Sequence, residues 1–131
     1  MDVSKKTSLS AGAVIRAILM EDPEVSSRVN KIYPIFTDNA ELPYIVYRRA
    51  EMEVSPQKVG QPGADTIQME ITCYTERYGE GIELAEAVRA ALDMVTATHE
   101  GQRMRGCYLS NSEEAWENDA YIQQLTFTIK I

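Results

Sequence analysis

Residues 67–93 read IQMEITCYTERYGEGIELAEAVRAALD, and the side-chain period changes partway along them. In the first part Ile67, Met69, Ile71 and Cys73 alternate with Gln68, Glu70 and Thr72. A period of two with one apolar face describes a strand with one buried and one wet side, as in an antiparallel sheet. The strand is expected over Asp65–Thr75. Gly79 and Gly81 then precede a helix expected over Ile82–Thr96. Its apolar stripe is Leu84, Val88, Leu92 and Val95, with Ala87 and Ala91 beside it. Alanines permit close approach to a sheet. Glu83 and Glu86 occupy its early turns, where acidic groups are favoured.

Moving upstream, residues 55–63 (SPQKVGQPG) hold two prolines and two glycines, so they read as a long hairpin loop. Before them Tyr44-Ile45-Val46-Tyr47 opens a strand expected to reach about Val54. Period-two counting places Tyr44, Val46, Ala50, Met52 and Val54 on one face, with Arg49, Glu51 and Glu53 on the other. Residues 37–43 are loop. Ile32–Phe36 is an edge strand, since Pro34 cannot donate to a ladder. Val14, Ile15, Ile18 and Leu19 mark a first helix that Ser8 or Ser10 can cap. Asp22-Pro23 stops it, and Pro23 begins a second short turn carrying Val25 and Val29.

Moving downstream, residues 97–103 read as a polar loop and Met104–Ser112 as a weaker strand. Residues 113–119 (EEAWEND) read as a turn. In the final strand Tyr121, Leu125, Phe127, Ile129 and Ile131 alternate with Ile122, Gln124, Thr126, Thr128 and Lys130. Two hairpins thus flank a central helix. The expected fold is α+β: a two-layer sandwich, with a mainly antiparallel sheet of four to five strands and two main helices on one face. Residues 1–10 are expected to be a flexible arm and 11–131 a single domain.

The chain has 131 residues, 44% of them hydrophobic and 25% charged, with a net charge of −7. Such a chain buries roughly two-thirds of its unfolded surface and needs no staples. The acidic balance disfavours nucleic acid. Lys5, Lys6 and Arg16, then Arg48 and Arg49, then Arg103 and Arg105, are the local basic groups, and no aromatics interleave with them. No stretch reaches the roughly 20 apolar residues of a membrane helix, and the N-terminus lacks the apolar run of a signal peptide. A soluble protein is expected.

No constellation points to catalysis. His99 is the single histidine and lies outside any nucleophile motif. Glu113, Glu114, Glu117 and Asp119 lack the spacing and glycine of a calcium loop. Gly79-Glu80-Gly81 lacks the lysine and hydroxyl residue of a phosphate loop. Cys73 and Cys107 read as inward-facing free thiols, or as a cross-strand disulfide if their strands lie close. Trp116 either folds back onto the core or is offered to a partner. The expectation is therefore no enzyme, no cofactor and no bound metal.

Several segments together resemble the tail-completion, or tail-to-head joining, family of long-tailed bacteriophages. They are AGAVIRAILMEDPEVSSRVNKIYP at 11–34, LPYIVYRR at 42–49, the opening stretch at 67–93, and the closing strand 121–131. The resemblance covers residues 11–131, apart from the divergent segments 97–103 and 113–119. It implies a structural subunit with no catalytic residues, present in the virion and in the host cytoplasm during assembly. Implied partners are further copies in a ring, the tail-tube protein, and a head-completion or connector protein, with no membrane or sequence-specific nucleic acid. Pro56, Gln57, Lys58, Val59 and Gln61 of the long loop, with Trp116, are the candidate partner contacts. The alternative is a small ligand-binding or regulatory domain with a pocket between helix and sheet.

Overall fold

A computed structural model describes residues 6–55 and 65–131. The chain opens with a short 3-10 turn, Ser8–Ser10, capped by the Thr7 hydroxyl accepting from the Leu9 N–H. The elements are then α1 (Ala11–Glu21), α2 (Pro23–Ser26), β1 (Lys31–Pro34), β2 (Tyr44–Glu53), β3 (Thr66–Thr75), α3 (Tyr78–Leu92), β4 (Ala97–His99), β5 (Gln102–Met104), β6 (Gly106–Glu117) and β7 (Ala120–Lys130). The expected arm at 1–10 thus ends in an anchored turn. The Ser8 hydroxyl donates to Asp65, and the Gln102 side-chain amide donates to the Thr7 carbonyl.

Five strands form one sheet in the order β1-β2-β3-β7-β6. Only the β1–β2 pair is parallel. One face carries both long helices: α3 lies against β3, β7 and β6, and α1 against β2, β1 and α3. The expected two-layer α+β sandwich is what forms. The alternation read in β3 holds, with Ile67, Met69, Ile71 and Cys73 all fully buried beneath the helices. Leu125, Phe127 and Ile129 of β7 join them, as do Leu84, Val88 and Leu92 of α3 and Val14, Ile15 and Leu19 of α1. Helix α1 ends at Glu21, where Asp22-Pro23 is expected to stop it. The Asp22 carboxylate does more: it accepts from the Glu24 and Val25 N–H groups and so caps α2, with Pro23 in the first turn.

Several sequence expectations need correction, beginning with the serine cap: Ser10 precedes α1 and makes no side-chain capping bond. In β2 the register slips between Arg49 and Glu51. Ile45 and Tyr47 therefore share the helix side with Met52, while Tyr44 and Val46 face outward; a bulge reverses the phase of period-two counting. Helix α3 starts at Tyr78 and stops at Leu92, both four residues earlier than expected. Gly79 and Gly81 lie inside its first turn instead of preceding it. Residues 97–103 are not plain loop. Strands β4 and β5 pair as a small hairpin, turned by Glu100 and Gly101 with φ of 49° and 83°. Positive φ at both central residues is the geometry that follows strand twist in a tight hairpin. Finally, residues 113–117 are strand, not turn.

Gly81 is there for space. A β-carbon at that position would sit 2.9 Å from the Thr75 hydroxyl oxygen, which itself donates to the Arg77 carbonyl at 2.9 Å. Thr75 is buried at the end of β3, so it cannot swing aside without abandoning that bond. Gly81→Ala is expected to cost about 1–3 kcal/mol by overpacking, despite alanine's better helix propensity. Urea denaturation followed by circular dichroism measures it. The exposed Gly79, where an added β-carbon meets nothing, should gain stability on the same substitution.

Candidate interaction surface

The β6–β7 hairpin projects past the start of α3. Its turn is Asn118-Asp119, with φ of 50° and 61°, and side chains of this kind tolerate the left-handed region. Across the ladder Trp116 stands opposite Tyr121, Glu114 opposite Gln123 and Ser112 opposite Leu125. These residues point to the helix side of the sheet. Over Leu125 that side is covered by α3; at Trp116 the helix has not yet begun. Trp116 is accordingly 58% exposed, and the reading that folds it onto the core is overturned. Its surroundings are held in place. Tyr78 sets its ring edge-on to Tyr121 at 5.9 Å, and its hydroxyl donates to Glu114 at 3.0 Å. The Gln123 amide donates to the same carboxylate at 2.8 Å. The Gln123 and Tyr78 hydrogen bonds hold the Glu114 carboxyl below its usual range. The same Glu114 bond raises the Tyr78 phenol.

The opposite, helix-free face of this sheet corner is aromatic. Tyr44 and Tyr74 stack with centroids 4.6 Å apart and planes at 18°. Tyr33 meets Tyr44 edge-on at 6.0 Å. Burial, then the neighbouring Tyr44 and Glu117, raise the Tyr74 phenol. Beside this stack the chain leaves β1 through a tight turn. The Phe36 N–H donates to the Pro34 carbonyl at 2.6 Å, with Ile35 between them at φ 62°. This is the rare positive-φ form of the γ-turn, and a β-branched residue in that region is strained. The turn is pinned by the Ile35 N–H donating to the Tyr47 carbonyl at 2.8 Å. It leaves Ile35 63% and Phe36 73% exposed. Together they rim an open cleft of about 410 Å³ floored by Tyr44, Tyr74 and Ile122 and bounded by Glu117.

The remainder of the outer face is polar and internally bonded. Thr128 donates to Gln68 at 3.0 Å, Lys130 to Thr66 at 2.7 Å, and Arg48 pairs with Glu70 at 2.9 Å. Such exposed pairs stabilise little, and beside them Tyr108, opposite Thr128, is 44% exposed. Arg48 is thus engaged within its own chain.

Of the candidate contacts, Pro56, Gln57, Lys58, Val59 and Gln61 lie outside the described residues. The base of their loop is clamped by Asp65. Its carboxylate accepts from the Ser8 hydroxyl and from the Ser55 N–H at 3.1 Å. These two bonds, the hydroxyl first, keep it below the usual carboxylate range. Its backbone bonds Ile131 in both directions. Loop base, N-terminal turn and last strand are thereby tied at one point.

Little else invites chemistry. His99 is half-buried in β4. Cys73 and Cys107 are buried free thiols. Among the described residues no three His, Cys, Asp or Glu side chains converge as metal ligands would, and no helix is long and apolar enough to cross a membrane. Between α3 and the β6–β7 hairpin lies an open cleft of about 240 Å³, lined in part by Ile82, Arg89, Leu109 and Leu125. Ligand pockets are usually larger and more enclosed.

A family model for tail completion protein gp17 matches residues 13–131. Among solved structures, a chain of the virion of the native gene transfer agent (GTA) particle superposes with a TM-score of 0.78 at 16% identity, over 95% of this chain and 98% of that one. The gp17 protein of bacteriophage SPP1 superposes with a TM-score of 0.66 at 14% identity, over 100% of this chain and 95% of that one. At these identities the two superpositions speak to fold. No curated protein sequence matches.

Proposed function

The chain belongs to the tail completion protein gp17 family, and from that membership we propose that it completes a phage or prophage tail and joins it to the head. A structural role in a phage particle is what the family carries; the joining step is our reading. In it, copies of the chain assemble as a ring at the end of the tail tube and meet a head-completion or connector protein on the other side. Assembly takes place in the host cytoplasm. The observation that carries the reading is the family match across 13–131, which takes in both helical and hairpin elements of the whole folded unit.

Two physical features support it. Trp116, Ile35 and Phe36 stand 58%, 63% and 73% exposed at one corner of the sheet, and neighbouring exposed apolar side chains of that kind mark interaction sites. The net charge of −7 suits a ring through which DNA passes without adhering.

The test is electron microscopy of tail tubes from the same genome incubated with the purified protein. Density capping one tube end is expected, and its symmetry gives the ring size. Folded protein that leaves competent tubes bare would end the joining reading. Deleting residues 56–62 should weaken capping; unchanged capping would remove that loop from the contact surface.

A further inference from the structure

We infer that neighbouring copies meet through opposite faces of the same sheet corner, the Trp116 side of one hairpin tip seating on the Phe36–Tyr74 side of the next copy. This rests on the ring reading above and names the surface that would build it.

A closed ring of identical subunits needs a heterologous contact, in which two different patches of one chain complement each other. The β6–β7 tip supplies such a pair. Adjacent residues of a strand point to opposite faces, so Trp116 and Tyr121 face the helix side while Glu117 and Ala120 face the aromatic cleft. The projecting group is the exposed indole. The receiving group is the cleft rimmed by Ile35 and Phe36 and floored by the Tyr44–Tyr74 stack. Because the two lie back to back across one layer of sheet, each seated subunit presents the same receiving cleft to the next.

The charges that lack partners favour that order over its alternative, since the Glu114 carboxylate on the Trp116 side is already taken up by Tyr78 and Gln123. Arg77 directly precedes Tyr78 on the projecting side and makes no ion pair among the described residues. Glu113 and Glu117 flank the aromatic side and make none among those residues either. Seating one side on the other brings Arg77 toward these carboxylates. A two-fold contact of the aromatic side with itself would instead oppose Glu117 to Glu117 in a chain of net charge −7, and like-charge contacts select against a wrong pairing. The strained γ-turn at Ile35 adds a second, independent sign. Strain persists in folded proteins where surrounding structure enforces it and clusters at working sites; here it holds Phe36 out into solvent.

The experiment uses an Asp38→Cys/Asp119→Cys double variant, which leaves Trp116 and Phe36 in place, and both single variants, assembled on tail tubes and treated with a short bis-maleimide. Both positions are exposed and the native thiols are buried, so the new thiols alone should react. The double variant is expected to give a covalent ladder ending at the ring number seen by microscopy, while each single variant stays monomeric on a denaturing gel. Rings visible on tubes with no ladder would overturn this contact and leave the joining reading standing. Efficient dimers from either single variant would also overturn it, by showing a self-facing contact. Wild-type protein that forms no rings on tubes would remove the premise itself.

Discussion

Replacing Phe127 with alanine is expected to lower the unfolding free energy by about 3–5 kcal/mol, a large part of the roughly 5–15 kcal/mol available to a domain. Phe127 is fully buried and lies on β7, which is flanked by β3 on one side and β6 on the other. In register its neighbours are Met69 and Leu109. Strands on both sides fix the backbone, so the void cannot close by moving β7, and the cavity term adds to the lost transfer energy. Thr126→Ala is the control, one residue away on the opposite face beside Glu70 and Asn111. It should change stability by no more than about 0.5 kcal/mol. Equal losses at the two positions would mean that backbone pairing, and not helix-side packing, holds β7.

That contrast between neighbouring residues is legible in the amino-acid sequence, because the apolar residues of β3 and β7 follow the period of two, although Thr72 and Thr128 on the other face are buried as well. The apolar stripe of α3 is legible for the same reason. Sequence and structure part where a local event breaks the period. The bulge beside Ala50 reverses the face of β2 without any glycine or proline to announce it. The end of α3 is equally quiet: Met94 takes φ 63° where a glycine would give the stop away. The glycines that do stand out, Gly79 and Gly81, suggest a break in the chain and mark none. One of them is a packing requirement inside the helix.

Strand β6 is hidden from periodicity past Ser112 because neither of its faces is covered there. Residues 113–117 are all exposed, so nothing requires an apolar face and Glu-Glu-Ala-Trp-Glu shows no alternation. The available signal is Asn118-Asp119, a pair suited to two successive left-handed residues. Taken as a two-residue turn, it runs β6 up to Glu117 and sets Trp116 opposite Tyr121. The aromatic cleft has no such signal. Tyr33, Tyr44, Tyr74 and Ile122 come from four strands, and they gather only because the order is β1-β2-β3-β7, which sequence periodicity does not encode. The exposure of Phe36 depends in turn on a backbone conformation that Ile35 would not adopt unaided.

The native protein should react with a polar thiol reagent at pH 8 at least about a thousandfold more slowly than the protein in denaturant. Burial pushes the Cys73 thiol from an ordinary value near 9.0 up to about 12. Burial first, with the Asp93 carboxylate nearby, does the same to Cys107. Thiolate is the reactive species, so a rise of that size alone removes about a thousandfold of the reactive form, before access is considered. The two cannot protect each other as a disulfide. They lie on opposite sides of β7, opposite Gln123 and Ile129 respectively, roughly 20 Å apart along the strand direction. Labelling should therefore report opening of each strand separately, with Cys107 on the edge strand β6 reacting before Cys73 on β3. Simultaneous labelling would mean that both strands open only in global unfolding. The same shifts set a pH dependence. Between about pH 9 and 12 the unfolded chain releases thiol protons that the folded chain keeps, so the folded state binds more protons and stability must fall as pH rises. Below pH 9 both states hold these protons, and the contribution is fully present. Denaturation midpoints measured under reducing conditions at pH 8 to 11 should be level at the low end and then decline. A Cys73→Ala variant should decline less steeply over the same range, because one of the two retained protons is gone.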